Sequence, residues 1–373
     1  MVFMKKNKLF TFLATAFAGL GVAYAQELTS NDWTYFYSEE DSEYQVTDGT
    51  WTFKATVTGD LLTVNEVIGF PTEISTLDFS KPVTDADGNS YTISKLNPLF
   101  GIDLDSWKDV DTSEAGAYLG ELVLPAEGLK TISAGAFGAC EALTNVVNFL
   151  PDSVTSLGSA AFFGCSKLKG DLICRNVNNL TRCVFTGCSK LTQVTFGAGV
   201  RTIGNGSNKQ GAFQNCNAIT NIIFEADCKN INIKGYSFAG SLSFKSPVIL
   251  YGVTNLSTKV FRGNKSFPAI VFDDCIKGIE LGLFDGAPSN FSEVHFLGAP
   301  PENYGIEFFG TGLSRKITTY VPHKYGDQWV KYSATGEINY KDTTFSADFV
   351  GEDYENRLLI WGDRLDSTVI VIK

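Results

Sequence analysis

The chain has 373 residues, 30 of them basic and 41 acidic, for a net charge of −11. An acidic surface repels phosphate backbones and anionic lipid, so nucleic-acid and membrane-surface roles are set aside. Apolar residues make up 44% of the chain, enough for an extended core, and only two histidines are present.

Residues 1–25 read as a signal peptide. Lys5, Lys6 and Lys8 precede an apolar run over residues 9–22, and Ala23-Tyr24-Ala25 forms a small-x-small cleavage site. Cleavage there moves the net charge to −14, because the segment carries three lysines and no acid. No cysteine follows the site to take a lipid, and no later stretch is long and apolar enough to span a bilayer. The expected location is exported: extracellular, cell-surface or periplasmic.

Residues 26–60 are aromatic and acidic and are expected to form an N-terminal β-rich cap, with a strand over residues 51–57. Their Trp33, Tyr35, Phe36 and Tyr37 are read first as capping side chains and second as a binding surface. Asp85, Asp87 and Asn89 look like half of a calcium loop, but the distant bidentate Glu is missing. Asp87-Gly88 between two strand-like runs is the signature of a hairpin turn. Residues 102–118 read as an acidic surface insertion.

From Phe137 onward the chain keeps a period. Phe137, Phe162, Phe185, Phe213, Phe238, Phe261, Phe284 and Phe309 are separated by 25, 23, 28, 25, 23, 23 and 25 residues. The one long step holds five extra residues, 206–210, expected to bulge out as a loop. Five residues before the anchors stand Ile132, Leu157, Leu180, Ile233, Leu256 and Ile279. Three residues after them stand Cys140, Cys165, Cys188 and Cys216, and six after come Leu143, Leu168, Leu191, Ile219, Phe244 and Phe267. A unit of this length cannot bury its own apolar side, so neighbours must stack into one core. Val194-Thr195-Phe196, Ile222-Ile223-Phe224 and Ile270-Val271-Phe272 alternate as strands do, and predict a parallel sheet along one face. Residues 136–143 predict a short helical turn on the other face. Residues 331–373 contain strand-like pieces at 358–361 and 368–372 and are expected to form a C-terminal β-rich segment.

These columns carry a resemblance. "LKTISAGAFGACEALTNVV", "VTSLGSAAFFGCSKL" and "GAFQNCNAITNIIF" resemble the BspA-like (Treponema-type) leucine-rich repeat, and "GNSYTISKLNPLF" looks like a degenerate first coil anchored on Phe100. The resemblance covers about residues 61–330. It implies a repeat solenoid with a parallel β-sheet on one face, short helical turns and loops on the other, and β-rich caps at both ends. It also implies a secreted or surface-displayed, adhesin-like binding protein. The pattern is broken where the cysteine column ends after Cys216 and where Pro247 stands in a strand position.

Eight cysteines in an exported chain raise the question of disulfides. Cys140, Cys165, Cys188 and Cys216 share one column, so their Cβ vectors run parallel and suit a bridge poorly. Buried free thiols are expected, with a pair among Cys174, Cys183, Cys228 and Cys275 as the exception to watch. No Cys-x-x-Cys or Cys/His cluster suggests zinc. His295 and His323 do not form a triad or metal pattern, Gly-x-Ser-x-Gly is absent, and residues 204–211 lack the Gly-Lys-Ser/Thr of a phosphate loop. The expectation is no catalytic residue, no metal and no cofactor.

The expected partner is another protein, such as a host matrix or cell-surface protein, and the alternative is a cell-surface glycan. The outward strand residues Val147, Thr195, Ile223, Val271 and His295 would line up as a strip. Asn145, Gln193 and Asn221 would form one rim, and Glu225 and Asp273 the other. Plain β propensity accounts for the same residue types without a ligand. For a glycan, the aromatic platforms would be Trp33, Tyr35, Trp51 and Trp107.

Overall fold

A computed structural model describes residues 32–100, 114–206, 210–240, 242–280, 282–286, 288–304 and 318–320. The expected signal segment, Trp107, Phe309, His323 and residues 331–373 lie outside them.

The described residues begin with seven short strands. These are β1 (Trp33–Ser38), β2 (Glu43–Thr47), β3 (Thr52–Thr58), β4 (Leu61–Gly69), β5 (Ser75–Asp78), β6 (Val83–Thr84) and β7 (Ser90–Leu96). β1, β2, β3 and β4 pair in sequence, antiparallel, and β4 then pairs β7 in parallel. β6 joins β7 on one side and β1 on the other, so six strands close into a ring with no free edge. Alternation drives this closure. Trp33, Val46, Phe53, Ala55, Leu62 and Val64 point inward and are buried. The β6–β7 connection is a hairpin turn. Asp85 accepts the backbone N–H groups of Asp87 (3.0 Å) and Asn89 (2.9 Å) and takes the Asn89 amide (2.8 Å) and Tyr91 hydroxyl (2.7 Å) on its other oxygen. With both oxygens so engaged, the carboxylate serves the turn.

The repeats follow as β8 (Leu119–Val123), β9 (Thr131–Ile132), β10 (Asn145–Val147), β11 (Ser156–Leu157), β12 (Lys169–Cys174) and β13 (Asn179–Leu180). Then come β14 (Lys190–Phe196), β15 (Thr202–Ile203), β16 (Asn221–Phe224), β17 (Ile231–Ile233), β18 (Val248–Leu250) and β19 (Val253–Leu256). The series ends with β20 (Ala269–Phe272), β21 (Gly278–Ile279), β22 (Glu293–Phe296), β23 (Asn303–Tyr304) and β24 (Thr318–Tyr320). Alternate strands go to alternate ladders. β5–β8–β10, β12–β14–β16 and β18–β20–β22–β24 pair in parallel on one side, and β13–β15–β17–β19–β21–β23 pair in parallel on another. β9 and β11 extend from β7, which ties the repeats to the closed ring. β18 starts just after Pro247, where a missing N–H breaks no ladder bond.

The phenylalanines lie in one file. Phe137, Phe162, Phe185, Phe213, Phe238, Phe261 and Phe284 stack on their neighbours with centroids 5.2–5.8 Å apart and rings within 19° of parallel. Phe100 continues the file at 6.1 Å and meets Trp51 edge-on. Each such pair adds about 0.5–1.5 kcal/mol beyond area burial.

The anchor segments are not helical. Ala136, Gly138, Cys140 and Leu143 each donate to the carbonyl three residues back, while Gly135, Phe137 and Ala139 donate to Ser159, Ala161 and Phe163 of the next coil. Half of the backbone donors are thereby given to a neighbour, which no α-helix allows. The cause is local. The positions two before and two after the anchor are left-handed: Gly135 and Ala139, Ala160 and Gly164, Cys183 and Gly187, Tyr236 and Gly240, Lys259 and Gly263 all have φ between +53° and +88°. The expected helical turn is therefore a chain of tight turns, and the one helix among the described residues is a 3-10 turn, Glu114–Tyr118. Its Ala115 and Gly116 are buried, so the end of the 102–118 stretch is core and not surface loop.

All eight cysteines are free, and seven of them are buried. Cys165, Cys188 and Cys216 donate their thiols to the carbonyls of Phe137, Phe162 and Phe185, at 3.0–3.1 Å. The column is thus a set of buried hydrogen bonds from each coil to the one before. Burial pushes the Cys140 and Cys188 thiols well up, and Cys216 up to about 12.

Candidate partner-binding face

The outward side chains of the longer strands fall in register. Val147 stands beside Val123, Ile173 beside Thr195, Thr195 beside Ile223, Ile249 beside Val271, and Val271 beside His295. The five residues of the expected strip therefore fall in a row within each of three parallel ladders. Ile173 and Ile249 also belong to these rows, although the fixed offset from the anchor misses them. They sit one residue later than Val147, Thr195, Ile223 and Val271 do. β12 shifts register at Gly170/Asp171, and β18 begins only after Pro247. A glycine or proline before the strand was the readable signal.

Exposure divides the row. Val147 and Ile173 are open, at 38% and 37%, and Val123, Ile223 and Ile249 are half-buried. Thr195 is only 9% exposed, because it sits on the central strand between the branched side chains of Ile173 and Ile223. Val271 and His295 are fully buried, so the expected open strip stops before them. Their strands explain this. β20 reads Ala-Ile-Val-Phe and is buried at every position, the pattern of a sheet covered on both faces. By contrast β10 alternates exposed, buried, exposed.

The rims differ as well. Asn145 donates to Glu121 at 2.7 Å and Asn221 to Gln193 at 3.3 Å, forming an exposed polar row beside the apolar one. On the far side Glu225 pairs with Arg175 at 3.4 Å. Asp273 does not join that rim. It is buried, and its oxygens accept the N–H groups of Gly252 (2.5 Å) and Cys275 (2.9 Å). Desolvation raises its pKa. Asp273, Asp274 and Cys275 are the metal-capable group among the described residues, with ligand atoms within 4.8 Å of one another. Both Asp273 oxygens are already held by backbone, which makes it a turn-capping carboxylate.

Three of the expected glycan platforms, Trp33, Tyr35 and Trp51, are not surfaces. Trp33 and Trp51 are fully buried, and their indole N–H groups bond to the carbonyls of Asp78 (2.6 Å) and Thr76 (3.0 Å). Tyr35 is 9% exposed. Trp33 packs on Phe53 and Phe79, and Trp51 on Phe53 and Phe100. Among the described residues no helix is long and apolar enough to cross a membrane.

Parallel strands repeated on a period in the twenties, with aliphatic and phenylalanine columns, define a leucine-rich repeat protein. More narrowly, residues 115–297 belong to the BspA type leucine-rich repeat region, matched over 115–232 and 207–297 with six copies. No curated protein matches the chain. Several solved structures resemble it, three of them as follows. The pneumococcal vaccine antigen PcpA aligns at 14% identity, TM-score 0.35, over 80% of this chain and 97% of that one. A leucine-rich cell surface protein of Faecalibacterium prausnitzii A2-165 aligns at 16% identity, TM-score 0.37, over 82% and 96%. A leucine-rich repeat protein of Bacteroides ovatus ATCC 8483 aligns at 15% identity, TM-score 0.34, over 80% and 98%.

Proposed function

We propose that this chain is an exported, surface-displayed and non-catalytic binding protein, adhesin-like, that seats another protein on the outward row of its repeat strands. In this reading residues 61–330 form a leucine-rich-repeat solenoid, capped by residues 26–60 at one end and 331–373 at the other. The observation that carries it is the open part of the row. Val123 and Val147, Ile173 and Ile223, and Ile249 present β-branched side chains from three parallel ladders, with Glu121 and Asn145 beside the first and Gln193 and Asn221 beside the second. An apolar strip with a hydrogen-bonding rim is the composition of a protein interface. Such a surface also needs no deep cleft, which fits a binding role better than hydrolysis.

The test is capture. Residues 26–373, immobilised, are offered to purified matrix proteins and to cell-surface extracts. A variant carrying Val147→Asp, Ile173→Asp and Ile223→Asp should lose the captured protein, while its cooperative unfolding stays unchanged. Equal capture by both chains would move the site off this face.

A further inference from the structure

The closed ring has two ends, and they differ. One end holds Trp51, which meets Phe100 edge-on, and leads through Phe100 into the phenylalanine file of the repeats. The other end carries the β1–β2 turn and the start of β7. There the inward row of β1 and β2 runs outward as aromatic surface. Trp33 is fully buried, Tyr35 nearly so, and Tyr37 and its cross-strand partner Tyr44 are each 51% exposed. Tyr91 of β7, beside Val83, points to the same side.

The rings are fixed against one another. Tyr44 stacks on Tyr35 at 5.4 Å and 10°, Tyr37 meets Tyr44 edge-on at 5.0 Å, and Tyr91 leans on Tyr35 at 5.1 Å. Tyr91 is held by its hydroxyl to Asp85, whose carboxylate also binds Asn89. The mouth of the barrel therefore carries a preorganised tyrosine cluster, with the Tyr37 and Tyr44 phenols exposed.

We infer that this mouth binds a neutral carbohydrate, with a pyranose ring packed against the exposed Tyr37–Tyr44 pair. Three features select that ligand class. A sugar ring has an apolar C–H face that packs on an aromatic face, and hydroxyls at its rim that meet phenol oxygens. Rings 5.0–5.4 Å apart leave no slot between them for a quaternary ammonium group, so a cation cage is not formed. A chain of net charge −11 disfavours anionic polymers such as uronates or nucleic acid. Because the rings are already held in place, little side-chain entropy is lost on binding. The inference does not depend on the protein-binding row, which lies on other strands. Stabilisation of the hairpin by a cross-strand pair is the rival account of these tyrosines.

Affinity electrophoresis of the chain separates the two accounts. Gels are cast with a mixed-linkage β-glucan, a galactomannan or soluble starch, and mobility is normalised to a protein that binds none of them. At least one polymer should retard the chain. Tyr37→Ala with Tyr44→Ala should weaken retardation about tenfold or more, as loss of a central aromatic contact does. Tyr44→Phe should retain it, and so should the Val147→Asp, Ile173→Asp, Ile223→Asp variant. Should the double variant misfold by circular dichroism, Tyr37→Ala alone, which gives up only an edge contact, should still reduce retardation measurably. Free migration in all three gels, or retardation unaffected by removal of the tyrosines, would overturn the inference. Failure here with intact capture by the strand row would leave the protein-binding reading standing, and the reverse result would leave this one.

Discussion

Single residues decide how each coil turns. The position two after the anchor is glycine at Gly164, Gly187, Gly240, Gly263 and Gly286, and all have positive φ. Ala139 occupies the same position at φ +53° and bears the Cβ strain that glycine escapes. Ala139→Gly should therefore stabilise the protein by roughly 0.5–1 kcal/mol, the left-handed cost less the entropy of glycine. Gly187→Ala should destabilise it by roughly 1 kcal/mol, although a Cβ there meets only ordinary contacts, the nearest at 3.5 Å. Thermal unfolding of both variants checks the pair; changes of the opposite sign would refute the account. The thiols give a second test at this scale. Buried cysteines with raised pKa values are poor nucleophiles. Ellman's reagent at pH 8 should modify at most the partly exposed Cys275 in native protein and all eight cysteines after denaturation. Fast native labelling of Cys140 or Cys188 would contradict the buried column. The glycine column was readable in the sequence, since it repeats at a fixed offset. Its counterpart two before the anchor was not, because Ala160, Cys183, Tyr236 and Lys259 carry no common chemical mark.

At the scale of elements, the Asp85 hairpin shows local chemistry overriding a motif. Hydrogen bonds from Asn89 and Tyr91 lower the Asp85 pKa to about 2, and the bond to Asp85 raises Tyr91 to about 12. A carboxylate depressed below its unfolded value of about 3.9 adds stability above that value and loses it as pH falls through about 2. An NMR titration should place the Asp85 midpoint near 2 and remove its hydrogen bonds to Asp87 and Asn89 below that pH. A midpoint near 4 would mean that the turn is held otherwise. The strand row teaches a different lesson. Val147, Thr195 and Ile223 were legible from alternation, yet Ile173 and Ile249 were hidden by a register shift and by Pro247. Burial of Val271 was foreshadowed by its strand, Ala269–Phe272, which has no polar residue to leave outside. His295 gave no such sign, because alternation alone places it outward. The anchor turns were misjudged as helical because their length and apolar content suit either form. Only the left-handed pairs decide between them.

For the whole molecule, periodicity made the stack legible while the closed ring stayed hidden. Ring closure depends on β6, a two-residue strand that pairs both β1 and β7, and no local pattern announces such a bridge. The stack joins its coils through one aromatic file, so each inner phenylalanine serves two neighbours. Phe185→Ala should lower stability by about 3–5 kcal/mol, read from denaturant unfolding, and a loss below about 1 kcal/mol would mean that the coils are not coupled through it.

Hydrogen–deuterium exchange with and without the captured protein addresses the binding row most directly. The account predicts added protection in Lys169–Cys174, Lys190–Phe196 and Asn221–Phe224, with little change in Trp33–Ser38. Protection confined to other segments, with those three strands unchanged, would contradict it.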